Sequence, residues 1–134
     1  MKEFLLKVAP VMLGGALGSG ARFFLCHFSE RCIDVCEKHC WLGTFFVNFS
    51  GCLVIGILSK VWHCDTTCEP TDVWKTAVFA GLLGGYTTFS AFSLQVVDLL
   101  SHGHLAQGAA LAFSTLGVCL GATLLGVWLA GFFS

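Results

Sequence analysis

Four long apolar runs dominate this chain, at about residues 8–28, 41–62, 74–100 and 105–133. Each is long enough to cross roughly 30 Å of hydrocarbon as a helix of about 20 residues. A soluble domain carries about 25% charged residues, whereas this chain carries 11%, with 56% hydrophobic residues and a mean hydropathy of +0.83. It cannot clothe a water-facing surface. Membrane-spanning strands would show an alternation of about ten residues per segment, and the runs show none. The reading is an all-α membrane protein of four transmembrane helices, forming one domain over residues 1–134 in a lipid bilayer. No enzyme activity and no nucleic-acid partner are expected.

The sixteen glycines sit mostly inside the apolar runs. There they let helix backbones approach closely rather than signal disorder. Charge collects in the joining segments, around residues 30–38, 63–72 and 101–104. Lys2 and Lys7 precede the first run in the manner of a signal peptide. That run is too long for a signal core, lacks a clear small-x-small cleavage site, and is followed by three more. With an even number of helices, Lys2, Lys7, Lys60 and Lys75 share one side of the membrane. Arg31 and Lys38 lie on the other, joined by Arg22 if it is near its helix end. A clear excess of Lys and Arg fixes orientation, and this excess is small. The balance predicts insertion in both orientations, and hence an antiparallel dimer.

Eight cysteines raise the question of disulfides or metal. Cys26, Cys52 and Cys119 fall in or near apolar runs and read as packing residues. Cys32, Cys36 and Cys40 follow a four-residue spacing beside His39, and His63, Cys64 and Cys68 form a second loop cluster. The two loops lie on opposite faces in one subunit and on the same face in an antiparallel dimer. Free thiols, incidental disulfides and a metal site all remain open.

Ionisable residues inside a membrane mark proton relays and coupled transport. No carboxylate falls at the centre of a run, and Asp98 lies near the end of the third. This disfavours a proton-coupled small-molecule exporter of the four-helix multidrug type, the main alternative reading. The interior polar groups are hydroxyls, one amide and backbone, which suit an anion or a neutral solute.

The third run carries Gly81-Leu-Leu-Gly84-Gly85-Tyr86-Thr87-Thr88-Phe89-Ser90-Ala91-Phe92-Ser93. Its paired glycines and Thr-Thr step interrupt the span near its middle. A broken membrane helix survives only where its freed backbone meets a partner, and such breaks commonly coordinate ions. The competing reading is a small-residue helix contact through Gly81 and Gly85. Phe89 and Phe92 are three apart and share a face. They read either as packing or as ring edges, whose positive rims favour an anion, with Ser90 and Ser93 adding hydroxyls. In the second run Thr44 and Asn48 share a face, as helix glue or as a site. In the first, Gly14, Gly18 and Arg22 follow a four-residue spacing. Arg22 either snorkels to the interface or lends positive charge to a vestibule. In the fourth, Ser114, Gly117 and Gly121 read as a close-packing face with one hydroxyl.

Three motifs occur in order: Gly14-Gly15-x-x-Gly18-x-x-x-Arg22, Gly43-Thr44-x-x-x-Asn48-x-x-Gly51, and Gly84-Gly85-x-Thr87-Thr88-Phe89-Ser90-x-Phe92-Ser93. In these the chain resembles the Fluc/CrcB family of fluoride channels over nearly its whole length. The resemblance implies an antiparallel, dual-topology homodimer in the bacterial inner membrane with two fluoride pathways. It implies that Phe89 and Phe92 are pore phenylalanines, that Asn48 is the amide contacting fluoride, and that Thr44, Ser114 and Ser90 are polar lining. It also implies that the carbonyls of Gly84 and Thr87, from both subunits, hold a central sodium ion. Transport would be passive, since no coupling residue is visible. Two departures stand out: Gln95 occupies a position where the family often has Glu, and the fourth run lacks the family's Tyr. The cysteine-rich loops also lie outside the family pattern.

Overall fold

The computed structural model describes residues 2–32, 41–62 and 72–132, with side chains omitted at 2–4 and 30–32. The expectations on the loop thiols and histidines, from Cys32 to Cys40 and from His63 to Cys68, lie outside those described side chains. The described chain is helical: α1 (Lys2–Cys32), α2 (Trp41–Val61), α3 (Val73–Thr76), a π-helical segment (Ala77–Leu83), α4 (Gly84–Tyr86), α5 (Phe89–Ser101) and α6 (Leu105–Gly131). Four stretches are long and apolar enough to cross a membrane: Leu5–Ser29, Trp41–Val61, Val73–Ser101 and Leu105–Gly131. The third is composite and bent, because α3, the π-segment, α4 and α5 follow one another within it.

The third span starts where Asp72 caps it, its carboxylate accepting from the Trp74 and Lys75 amides at 3.1 and 3.4 Å. This satisfies two N–H groups that have no helical partner. The span ends at His102, where Gly103 takes a φ of +81°. There the Gly103 and His104 amides bond back to Leu100 and Leu99. The turn returns the chain directly into α6, so α5 and α6 are neighbours.

Two glycine seams hold the bundle. Along the first, α1 meets the π-segment and α4 backbone to backbone. A Cβ on Gly14 would come within 2.5 Å of the Ala77 carbonyl, and one on Gly85 within 2.6 Å of the Gly15 carbonyl. Along the second, α2 and α6 make the largest helix contact among the described residues. A Cβ on Gly126 would lie 2.9 Å from the Ile57 amide, and one on Gly56 would lie 3.0 Å from the Thr123 carbonyl carbon. Close backbone approach of this kind substitutes dispersion contact for the hydrophobic driving force that lipid does not provide. The first half of the third span thus rests on α1, and its second half, α5, on α6.

Two expectations are corrected. The interruption of the third span falls on Thr87 and Thr88 alone. Thr87 has ψ 158° and Thr88 has φ −149°, both extended, while Gly84 is right-handed helical. The glycines stay helical because Gly81 and Gly85 are packed into the α1 seam. Nor does the face at Ser114, Gly117 and Gly121 pack within the subunit. Ser114 is exposed, and a Cβ on either glycine would meet nothing within 4 Å. The buried stripe of α6 runs through Gly108, Leu111, Thr115, Ala122, Gly126 and Ala130. At about 100° per residue, positions 114, 117 and 121 lie roughly 100–160° round the helix from Thr115.

Candidate functional site

The break at Thr87–Thr88 is closed by one side chain. Asn48 of α2 accepts from the Thr88 amide through Oδ1 at 2.8 Å and donates from Nδ2 to the Thr88 carbonyl at 3.0 Å. Both residues are buried, at 8% and 7% exposure. A side-chain amide has the donor and acceptor to pair with both the N–H and the C=O of one residue. Inside a membrane each unpaired backbone group costs several kcal/mol, so this pairing lets the chain leave the helical ladder. The Thr88 hydroxyl then starts α5, accepting from the Ala91 amide at 3.3 Å.

The rearrangement diverts two amides from the helical ladder. The Thr88 amide, the ladder partner of the Gly84 carbonyl, is taken by Asn48. The Ala91 amide, the ladder partner of the Thr87 carbonyl, is taken by the Thr88 hydroxyl. The Gly85 carbonyl is compensated by the Ser19 hydroxyl at 3.4 Å. The Leu83 carbonyl accepts both the amide and the hydroxyl of Thr87 at 3.0 Å. Gly84 and Thr87 are therefore two carbonyls whose ladder donors the break diverts.

Beside the break lies a cavity of about 280 Å³, lined by Asn48, Thr87, Phe89, Phe92 and Thr115 among others, with no charged side chain on its wall. The Phe89 and Phe92 rings sit 5.5 Å apart at 56° to one another. Phe92 is buried at 6% exposure, whereas Phe89 is 71% exposed. The Asn48 nitrogen carries a second hydrogen that the Thr88 carbonyl does not use, and Asn48 lines the cavity. Thr44, one turn before Asn48, is buried and accepts from Gln95 Nε2 at 2.9 Å. This gives Gln95 a partner that its sequence position did not reveal. Tyr86 reaches the other side of α2, its hydroxyl 2.8 Å from Ser50 Oγ.

The remaining anticipated residues stand apart from the cavity. Ser90 is exposed, with its hydroxyl 3.3 Å from the Thr88 hydroxyl. Ser114 donates to the Leu111 carbonyl at 3.3 Å and faces outward. Arg22 is half-buried on α1, seven residues inside the end of the span at Ser29, about 10 Å along the axis. Thr115, not singled out from the sequence, does face the cavity. It is 4% exposed, and its hydroxyl has no hydrogen-bond partner. Its neighbour Ser114, which the resemblance implied as polar lining, lies about 100° away in helical phase, a difference that only the packing gives a meaning. Cys52 and Cys119 also line the cavity wall.

Together these features describe a membrane bundle with a largely apolar, uncharged cavity, edged by a few hydroxyl and amide groups, beside a broken helix. The family described as CrcB-like protein, Camphor Resistance (CrcB), matches residues 9–127, and the chain belongs to it. It is 38% identical over 125 residues to the fluoride-specific ion channel FluC 3 of Yersinia pestis, covering 93% of this chain and 97% of that protein. It is 38% identical over 126 residues to a FluC of Anaeromyxobacter sp. (strain K), covering 90% and 95%. It is also 41% identical over 118 residues to a FluC of Methylobacillus flagellatus, covering 85% and 86%.

Proposed function

We propose that this chain is a passive fluoride channel that lets fluoride leave the cytoplasm across the inner membrane of a bacterium, as a single membrane domain over residues 1–134. The observation that carries it is the Asn48–Thr88 pairing, which breaks a membrane helix beside an uncharged cavity walled by Phe89 and Phe92. Conduction needs binding strong enough to offset dehydration and weak enough to release. Fluoride is small and strongly hydrated. The spare Asn48 hydrogen, the Thr115 hydroxyl and the phenyl edges each contribute modestly, where a lysine would trap the ion. Thr44 holds Gln95 beside this wall, and the half-buried Arg22 of α1 draws anions to the mouth.

The functional unit in this reading is an antiparallel, dual-topology homodimer. The near balance of Lys and Arg across the membrane supports it. So does the open face of Ser114, Gly117 and Gly121, together with the exposure of Phe89 and Ser90. A second subunit would cover these groups and bring two more carbonyls to those of Gly84 and Thr87. Four such oxygens suit sodium, a hard cation, and the diversion of their ladder donors fits them for it. The ion would lock the two breaks together.

A coupled exporter would require an acidic residue within a span. Among the described residues of the four spans the one carboxylate is Asp98, exposed and three positions from the end of α5. Fluoride efflux from liposomes containing the purified protein tests the proposal. Efflux down the gradient, selective for fluoride and independent of a proton gradient, is expected. Efflux that proceeds uphill only with a proton gradient, or none from a folded dimer, would overturn it.

A further inference from the structure

The α2–α6 seam places two thiols against each other. α2 and α6 run in the same direction, because Gly56 meets Thr123 while Leu53 and Ile57 meet Gly126. One turn before Gly56 stands Cys52, and one turn before Thr123 stands Cys119. The register of the seam thus sets the two cysteines side by side, and neither is in a disulfide. Both line the cavity that holds Phe89 and Phe92. One turn further on each helix are Asn48 and Thr115, so two parallel helices present matching pairs of polar side chains to one space. The Thr115 hydroxyl is buried and unpartnered there.

The chemistry of the pair is selective. Thiolate sulfur prefers soft cations. Zinc asks for four ligands, and among the described residues no group of three or more Cys, His, Asp or Glu comes together. Two sulfurs alone satisfy a soft cation content with two-coordinate geometry. Charge decides further, because ions are costly in the membrane interior. A monovalent soft cation on two thiolates leaves one negative charge, whereas a divalent one leaves none.

We propose that Cys52 and Cys119 form a two-sulfur site for a soft divalent cation of the mercury(II) type, opening on the cavity beside the phenylalanine pair. The cation arrives as its neutral dichloride, which an uncharged cavity admits. Two S–H bonds break and two Hg–S bonds form, so HgCl2 and two thiols give Hg(SR)2, two protons and two chloride ions. Nothing is oxidised. Thr115 Oγ1, a turn from Cys119, offers a weak oxygen contact. The bound complex stands in the passage and closes it.

The test uses the full-length protein with the five loop cysteines, Cys32, Cys36, Cys40, Cys64 and Cys68, replaced by Ser, freshly reduced and freed of reductant. It is titrated with HgCl2 while bound mercury and maleimide-reactive thiols are counted, and the sulfur coordination is read by X-ray absorption. One mercury per chain held by two sulfurs is expected, with two thiols protected together. Cys52→Ser and Cys119→Ser each abolish the two-sulfur signal, while Cys26→Ser leaves it. Two-sulfur coordination that survives either variant, or mercury held by a single sulfur throughout, would overturn the site. In the same protein, mercury should lower fluoride efflux about tenfold or more and dimercaptopropanol should restore it. Efflux that persists with the two-sulfur complex fully formed would overturn the blocking role. Absence of any efflux before mercury is added would count against the channel reading, and the coordination result would still stand.

Discussion

Asn48 pairs with both backbone polar groups of Thr88, the N–H and the C=O, at 2.8 and 3.0 Å, and so substitutes for a turn of helix inside the span. Asn48→Leu orphans both groups, at about 1–3 kcal/mol each, and should lower the thermal unfolding midpoint of the purified protein markedly. Asn48→Asp keeps the acceptor but loses the donor, and places a negative charge on the cavity wall. Fluoride efflux from liposomes should fall about tenfold or more while the gel-filtration profile matches that of the native protein.

The two phenylalanines should separate. Phe89 is 71% exposed in the subunit, so Phe89→Ile removes a ring edge with little cost to the subunit fold. Efflux should fall about tenfold or more, equivalent to about 1.4 kcal/mol or more of barrier, at an unchanged unfolding midpoint. Phe92→Ile should lower both, because that ring is buried. Equal behaviour of the two variants would contradict the assignment.

Glycines in the bundle divide by what faces them. Gly85→Ala drives a methyl group toward the Gly15 carbonyl and should abolish stable expression. Gly121→Leu meets nothing within the subunit. It should yield a folded monomer, detected by glutaraldehyde crosslinking and light scattering, if the open face of α6 meets a second subunit.

Gln95 donates to Thr44 at 2.9 Å. In Gln95→Glu a carboxylate accepts from the Thr44 hydroxyl instead, so the contact survives with its direction reversed. Gln95→Leu removes it and leaves a buried hydroxyl short of a partner, at about 1–3 kcal/mol. Unfolding midpoints should rank the native protein and Gln95→Glu above Gln95→Leu.

Sodium on the Gly84 and Thr87 carbonyls predicts cation-dependent assembly. Replacing sodium by N-methylglucamine, too large for such a cluster, should shift crosslinked dimer toward monomer and lower efflux. No change in either would remove the ion from the proposal.

Hydropathy made the four spans legible, because about 20 apolar residues admit few other structures. The motifs that carry Asn48, Thr87 and Phe89 lie far apart in sequence and meet at one cavity in the fold. Sequence did not show that Gly84 and Gly85 stay helical, since glycine is equally at home in a break and in a close contact. The α1 seam decides between those uses. Nor did it distinguish Ser114 from Thr115: adjacent hydroxyls differ by about 100° of helical phase, and only α2 packing against α6 determines which one faces inward. The partnership of Gln95 with Thr44 spans 51 positions, and no local pattern encodes such a distance.

The first half of the third span leans on α1 and the second half on α6, with Thr87 and Thr88 between them. The carbonyls of Gly84 and Thr87 therefore travel with one wall of the bundle and the phenyl rings with the other. A substitution that tilts α1 would disturb the oxygens and leave the aromatic spacing untouched. One that tilts α6 would do the reverse. Substitutions can consequently act on the carbonyl side and on the aromatic side of the break separately, two adjustable properties of one short polypeptide.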